Sequence, residues 1–280
     1  LAINMSDRME YKGILLDIPY LEEQLNTKIA LISTRKNKGI DQLKTLISDY
    51  KTLSTEPCMD ASDIDAAYLI NATGTRNVAL AAEKAEAKLV YISTDYVFDG
   101  MGTQPYHEYD NTDPKSIYGK SKRAGEILVQ SLSTKFFIVR TSWVYGKYGN
   151  NFVSTMLKLG QEKPLIQVVD DQKGSPTYTV DLSRFLLELI QTEKYGIYHA
   201  SNSGACTWYE FTGAIFEEAQ DILGLNFTAK LEPCDTDQFP RPAPRPRNSV
   251  MEHISIRTNG FQDIRHWREG LRDFLLELKE

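Results

Sequence analysis

The chain has 280 residues, 41% of them hydrophobic and 25% charged, with a formal net charge of -6. That length builds one large or two modest domains with a real core, and the composition is that of an ordinary globular protein. The negative charge gives no electrostatic support to a general nucleic-acid-binding role, and the lack of an apolar run of spanning length argues against a membrane partner.

Cys58, Cys206 and Cys234 show neither metal spacing nor an even disulfide count. They read as reduced thiols of a cytoplasmic protein with no metal site. No secretory signal opens the chain, and Leu1 in place of Met is read as a missing true start.

A dinucleotide-binding enzyme should open with a strand, a Gly-rich turn and a helix, because only glycine lets the backbone approach a pyrophosphate. Residues 1–60 offer no such turn, for Gly13 and Gly39 stand alone. In its place come a helical stretch near Ile18 to Leu25, a strand over Lys28 to Ser33, and a helix start at Gly39-Ile40-Asp41-Gln42-Leu43. The stretch from Ala67 to Asn77 reads as a helix.

Leu89-Val90-Tyr91-Ile92 is a buried strand whose polar end, Ser93-Thr94-Asp95, lies at a carboxyl end, where open α/β sheets bind ligands. The next helix takes Asp113 as its cap and Pro114 in its first turn, and runs to Leu132. Tyr118 and Lys122 are four apart and share one face. A free tyrosine has a pKa of about 10, and a nearby ammonium favours the phenolate. Thr94, Tyr118 and Lys122 together can therefore protonate a carbonyl as it receives a hydride.

Lys135 to Arg140 is a second buried strand, ending at Thr141-Ser142-Trp143. Asn150-Asn151 opens a helix through Gly160, Leu165 to Val169 is a strand, and a polar turn carrying Gln172, Gly174 and Pro176 precedes a helix over Val180 to Ile190. A late strand spans Tyr195 to His199. Thr207 caps the next helix with Glu210 at the capping-box spacing. The Pro-rich stretch 239–247 forbids helix and central strand, and its Arg241, Arg245 and Arg247 either decorate a plain loop or pair with a diphosphate. Trp267 to Leu278 is a closing amphipathic helix.

Four segments in this order, Ser93-Thr94-Asp95-Tyr96-Val97-Phe98-Asp99-Gly100, Tyr118-Gly119-Lys120-Ser121-Lys122, Arg140-Thr141-Ser142-Trp143-Val144-Tyr145-Gly146 and Asp170 to Tyr178, resemble the dTDP-4-dehydrorhamnose reductases. These are extended short-chain dehydrogenases/reductases. The resemblance runs from about Ala66 to the C-terminus. It implies an α/β, doubly wound, mostly parallel Rossmann-like sheet, its first strands replaced, with a nucleotide-binding core over about 66–165 and a small C-terminal substrate lobe mainly over 166–280. It also implies reduction of the C4 ketone of dTDP-4-dehydro-L-rhamnose with NADPH or NADH, in a cytoplasmic enzyme for which a homodimer is open.

In those terms Thr94 holds the ketone oxygen and Tyr118 donates the proton. Lys122 lowers the Tyr118 pKa and binds the nicotinamide ribose. Ile92 and Asn71 belong to the cofactor side, Asn71 either supporting a proton relay near Lys122 or merely serving its helix. Asp95, Trp143, Gln172 and Arg245 meet the dTDP-sugar, although a Trp at a strand end also suits core packing.

Residues 1–65 resemble a different family, the end of the GTPase domain of ferrous iron transport protein B. In that likeness Asp7 reads guanine, Asn4 steadies its loop and the Ser33 region touches the base. No phosphate-binding Gly-x-x-x-x-Gly-Lys-Ser/Thr loop exists in the chain. The chain thus reads as a junction, a GTPase-like βαβ fragment before a reductase-like region. Two alternatives stay open: an inactive chimera that binds nucleotide-sugar, and a guanine-nucleotide-binding fragment.

Overall fold

The computed structural model describes residues 2–3, 19, 30–31, 64–238 and 245–279. Asn4, Asp7, the Ser33 region, Cys58 and Arg241 lie outside the described residues, so the guanine-reading expectations fall outside them too. Of the opening segment, β1 (Ala2–Ile3) and β2 (Ala30–Leu31) pair in parallel, Ala2 opposite Ala30.

The described chain then forms α1 (Ile64–Tyr68), a π-helical turn over Leu69–Gly74 and α2 (Thr75–Lys84). Strand β3 (Leu89–Thr94) follows, then a 3-10 turn over Asp95–Val97. Helix α3 (Ile117–Leu132) leads to β4 (Phe136–Thr141) and the short β5 (Val144–Tyr145). Next come α4 (Phe152–Glu162), β6 (Leu165–Val169), β7 (Lys173–Gly174), β8 (Thr177–Tyr178) and α5 (Thr179–Leu189). The chain closes with β9 (Gly196–His199), β10 (Cys206–Thr207), α6 (Trp208–Leu223), β11 (Lys230–Cys234), α7 (Ile254–Thr258) and α8 (Trp267–Lys279).

Strands β3, β4 and β9 form a parallel sheet with β4 in the middle, Thr94 opposite Thr141 and Arg140 opposite His199. A central parallel strand is apolar on both faces because helices cover both. In β4, Ile138 packs with Ala79, Leu89, Tyr91 and Val129 on the side of α2 and α3. Its neighbours Phe137 and Val139 pack with Leu182, Phe185, Leu189 and Ile256 on the side of α5 and α7. Period-two alternation along one fully buried strand thus makes the fold doubly wound.

A second core gathers α4, α6 and α8 around the parallel β6–β11 pair, with Phe211, Ile215, Leu271 and Phe274 fully buried. The Thr207–Glu210 capping box forms as the spacing predicts. The cap of α3 differs. Asp113 is exposed in an ion pair with Lys115, whereas Ser116 Oγ accepts the Gly119 N–H at 3.0 Å. With Ser116 capping, the helix starts at Ile117, and Pro114 stays in the extended lead-in. Among the described residues no helix is long and apolar enough to cross a membrane.

Candidate active site

Strand β3 ends where its side chains turn polar. The Thr94 hydroxyl accepts the Tyr96 N–H at 3.2 Å, caps the 3-10 turn and so bends the chain out of the sheet. Helix α3 enters against this turn. A Cβ on Gly119 would lie 2.1 Å from the Tyr96 carbonyl oxygen, so only glycine lets the helix approach this closely. One turn and a half later the same holds at Gly125, where a Cβ would meet the Tyr91 hydroxyl at 2.2 Å and the Asn71 carbonyl oxygen at 2.3 Å. These two contacts seat α3 on the end of β3 and bring Tyr118 and Lys122 beside Thr94 and Ile92.

Tyr118 is 49% exposed, and its ring meets Tyr96 edge-on at 5.8 Å. Burial of its hydroxyl end pushes the phenol above its ordinary pKa; the Thr94 side chain pulls it down and the Asp95 carboxylate pushes it up. The expected lowering by Lys122 is therefore corrected. Lys122 Nζ is turned away to the Ile92 carbonyl oxygen at 2.6 Å and lies 4.2 Å from the centre of the Tyr91 ring. Burial lowers the Lys122 pKa to about 8, while Glu126 one turn on holds it up. An ammonium so placed retains N–H donors beyond the one given to Ile92.

Asp95 is buried. Its Oδ1 accepts the Thr94 hydroxyl at 2.9 Å, and its Oδ2 has no hydrogen-bond partner among the described residues. Burial raises its pKa to about 6, with the Thr94 and Ser249 hydroxyls drawing it back. Asn71 sits in the π-helical turn, donates to the Ser121 hydroxyl at 3.0 Å, and its carbonyl accepts from the Tyr91 hydroxyl. Such turns often mark functional places in helices.

The remaining expected residues stand further out. Trp143 has φ +48, uncommon for a residue with a Cβ, and its indole stacks on Trp208 with ring centres 3.5 Å apart. Arg245 lines a cleft with Tyr96, Phe98, Met101, Lys115 and Pro246. Gln172 is buried and donates to the Thr236 hydroxyl at 2.9 Å, so it is occupied within the protein. The geometry thus joins Thr94, Asp95, Tyr118, Lys122, Ile92 and Asn71, and leaves Trp143, Gln172 and Arg245 outside that cluster.

Tyr91, Tyr96 and Trp208 are the residues that sequence reasoning missed. Tyr91 lies next to Ile92 on β3 and Tyr96 next to Asp95 in the turn after it, and this adjacency to residues already singled out was the available signal. Trp208 carried none, because only the tertiary fold brings it to Trp143.

A family model described as RmlD substrate binding domain matches residues 59–280. The spore coat polysaccharide biosynthesis protein SpsK of Bacillus subtilis is 47% identical over 245 residues, covering 88% of this chain and 83% of that protein. A dTDP-4-dehydrorhamnose reductase of Aggregatibacter actinomycetemcomitans is 38% identical over 279 residues, covering 98% and 92%. A crystal structure of the dTDP-4-dehydrorhamnose reductase of Bacillus anthracis in complex with NADP is 43% identical, with a TM-score of 0.75, and covers 92% of this chain and 94% of that one. The likeness of residues 1–65 to an iron-transport GTPase finds no support in these matches.

Proposed function

The chain belongs to the dTDP-4-dehydrorhamnose reductase family, and from that premise we propose that it reduces the C4 ketone of dTDP-4-dehydro-L-rhamnose to dTDP-L-rhamnose with NADPH or NADH. It is an oxidoreductase of dTDP-rhamnose biosynthesis. The observation that carries this reading is the seating of the Tyr118 phenol beside Thr94 with Lys122 one turn behind, at the carboxyl end of β3.

The nicotinamide nucleotide fits this donor set. Lys122 has N–H groups left for ribose hydroxyls, Tyr118 faces outward on the same side, and Ile92 at the strand end is 39% exposed. When bound, the cofactor supplies a hydride to the ketone carbon. Tyr118 gives its proton to the ketone oxygen, and the high phenol pKa keeps that proton in place at neutral pH. The Thr94 side chain draws the phenol's pKa down against the effect of burial. The Lys122 charge, tied to Ile92 and the Tyr91 ring, orients the ribose side. Asn71 holds Ser121 and, through Tyr91, the backbone of Lys122.

In the same reading Asp95 and Trp143 place the sugar, and Arg245 meets the diphosphate at the cleft it lines. Gln172 enters only by exchanging its bond to Thr236. Residues 66–165 carry the nucleotide-binding core and 166–280 mainly the substrate lobe. Among the described residues the later segment adds β9 to this sheet beside β4. A reducing, cytoplasmic setting suits the two free, buried cysteines Cys206 and Cys234.

The test is nicotinamide oxidation by the purified chain with the dTDP-4-keto sugar, beside Tyr118→Phe. Loss of the general acid should lower kcat by about 10² to 10⁴ while cofactor binding stays. Sugar binding without turnover in the unaltered chain would replace this reading with that of an inactive relative.

A further inference from the structure

Trp143 stands where the backbone is strained. Its φ of +48 lies in the left-handed region, which a residue with a Cβ keeps only when its surroundings hold it there. The main chain is held by β8 and the residues just before it. Ser142 Oγ donates to the Ser175 carbonyl oxygen at 2.7 Å, and the Thr177 hydroxyl donates to the Ser142 carbonyl oxygen at 2.6 Å. The Thr177 N–H reaches the Trp143 carbonyl oxygen at 3.2 Å.

These bonds fix the backbone but leave the indole its own side-chain torsions. Two contacts fix the ring. Trp208 lies parallel to it, with ring centres 3.5 Å and planes 9° apart. Gly174 closes on its benzene half, where a Cβ would stand 2.6 Å from Cε2 and 2.7 Å from Cζ2. Trp208 is itself anchored as the first residue of α6. The Thr207–Glu210 capping box fixes that helix end, and the Thr207 hydroxyl is tied to Asp170 Oδ1, just past β6, at 2.5 Å. Its ring also meets Phe152 of α4 at 4.4 Å. The antiparallel pairing of β10 with β7, Cys206 opposite Gly174, brings both clamps to Trp143 together.

We propose that Trp208 is a positioning residue for the sugar: with Gly174 it clamps the Trp143 indole, so that Trp143 presents a fixed wall to the deoxysugar at the carboxyl end of β4. This rests on the reductase reading and deepens it by adding a residue to the sugar side of the same site. Thr141 lies opposite Thr94 in the sheet, and Trp143 is two residues further on. The wall therefore rises beside the strand end that carries the reacting groups. Both indoles are half-buried, so the stack keeps part of its surface for a ligand. An unclamped indole would visit several rotamers, and a sugar that needs one of them would bind only to the fraction that holds it. The parallel ring selects that rotamer in advance, and the sugar gains the ordering cost as affinity.

Trp208→Leu removes the stacked ring. The KM for the dTDP-4-keto sugar should rise about three- to tenfold, the worth of one aromatic pair. The kcat and the KM for NADPH should stay within about twofold, since the wall grips the sugar alike before and during reaction. Trp208→Phe keeps a ring on Trp143 and should recover most of the loss. A fall in kcat with an unchanged sugar KM, or the same loss in Trp208→Phe as in Trp208→Leu, marks plain core packing and overturns the proposal. Gly174→Ala reaches the same indole from another side and leaves Trp208 intact. Its Cβ pushes the ring off its seat, and the sugar KM should rise by a similar factor; an unchanged KM overturns the clamp.

Calorimetry with dTDP-L-rhamnose, without NADPH, closes the test. In a Trp143→Leu background, Trp208→Leu should cost no further affinity, because it acts only through that indole. Additive losses overturn the proposal. A chain that binds no dTDP-sugar at all sinks the reductase reading and the proposal with it. One that binds dTDP-sugar equally well with and without Trp208 sinks the proposal alone.

Discussion

Two charged clusters hang on helix α3, and they follow opposite rules. Beneath its middle, Glu126 is fully buried and every one of its acceptors is used. Arg140 Nε reaches Oε1 at 2.9 Å, Arg140 Nη2 reaches Oε2 at 2.8 Å, and Arg123 adds a third contact at 3.2 Å. Arg140 is itself 1% exposed and lies 5.1 Å from the centre of the Phe98 ring. Its Nη1 approaches His199 Nε2, and His199 Nδ1 faces the Glu252 carbonyl oxygen. A carbonyl only accepts, so Nδ1 carries the proton and Nε2 receives from Arg140. Burial and the neighbouring guanidinium hold His199 well below its ordinary pKa, hence neutral.

At the N-terminal end of the same helix the pairing is incomplete. Asp95 Oδ2 has no partner among the described residues, Tyr118 is half-exposed, and Lys122 is pushed down toward neutrality by burial. The difference teaches where to look for chemistry. Saturated buried charges have no capacity left and serve as a foundation. Partly saturated ones, held near their titration points, are free to exchange protons.

The sharpest way to break this comparison is to unpair the foundation. Arg140→Met leaves Glu126 buried with Arg123 as its remaining cation. Such a loss costs about 3–5 kcal/mol, a fall in Tm on the order of ten degrees, measurable by thermal unfolding. Glu126→Met combined with Arg140→Met should restore most of it, because no charge is then stranded. A loss below about 1 kcal/mol in the single variant would show that the pair holds nothing.

At the working end the sign reverses. The Asp95 carboxyl titrates near 6 in the folded chain against 3.8 unfolded. Above pH 6 it is ionised in both states, and the folded state carries the cost of burying the charge. Between about 6 and 4 the native state binds the extra proton, so stability rises as pH falls. Below that range both states are protonated and the cost is gone. Asp95→Asn should therefore stabilise the fold at neutral pH by up to about 3 kcal/mol, with the gain fading as the pH falls from about 6 to 4. Urea unfolding across that range reads it. A destabilised Asp95→Asn at neutral pH would place Asp95 with the foundation. The expected trade of stability against turnover is the usual one at a strained site.

The strands and helices that form the core were largely legible in sequence, because burial leaves a periodic trace. Leu89 to Thr94 and Phe136 to Thr141 are apolar runs ending in polar residues, and Thr207 with Glu210 announces its own cap. The family likeness of the 66–280 stretch was carried by residues contiguous in sequence, so it too was legible. What escaped depends on side-chain direction. Tyr118 and Lys122 share a helix face by spacing. Whether the ammonium points at the phenol or at Ile92 O is decided by the Tyr91 ring, which spacing does not encode. Trp208 meets Trp143 across 65 residues, and β11 joins β6 across a similar distance, with no local signal at either partner.

The smallest effect separates the two ends of the lead-in to α3. Ser116 Oγ accepts from Gly119 N–H, whereas Asp113, three residues earlier, makes an exposed pair with Lys115. Ser116→Ala should cost about 1 kcal/mol, the ordinary worth of a cap. Asp113→Ala should stay within about 0.5 kcal/mol, as exposed pairs do. Tyr118 is the second residue of the helix, so a frayed first turn loosens the proton donor without touching the Glu126–Arg140 foundation. Turnover in Ser116→Ala should accordingly decline with temperature before the chain unfolds, while Arg140→Met loses both together. Equal losses in Ser116→Ala and Asp113→Ala would return the cap to Asp113 and detach the proton donor's footing from Ser116.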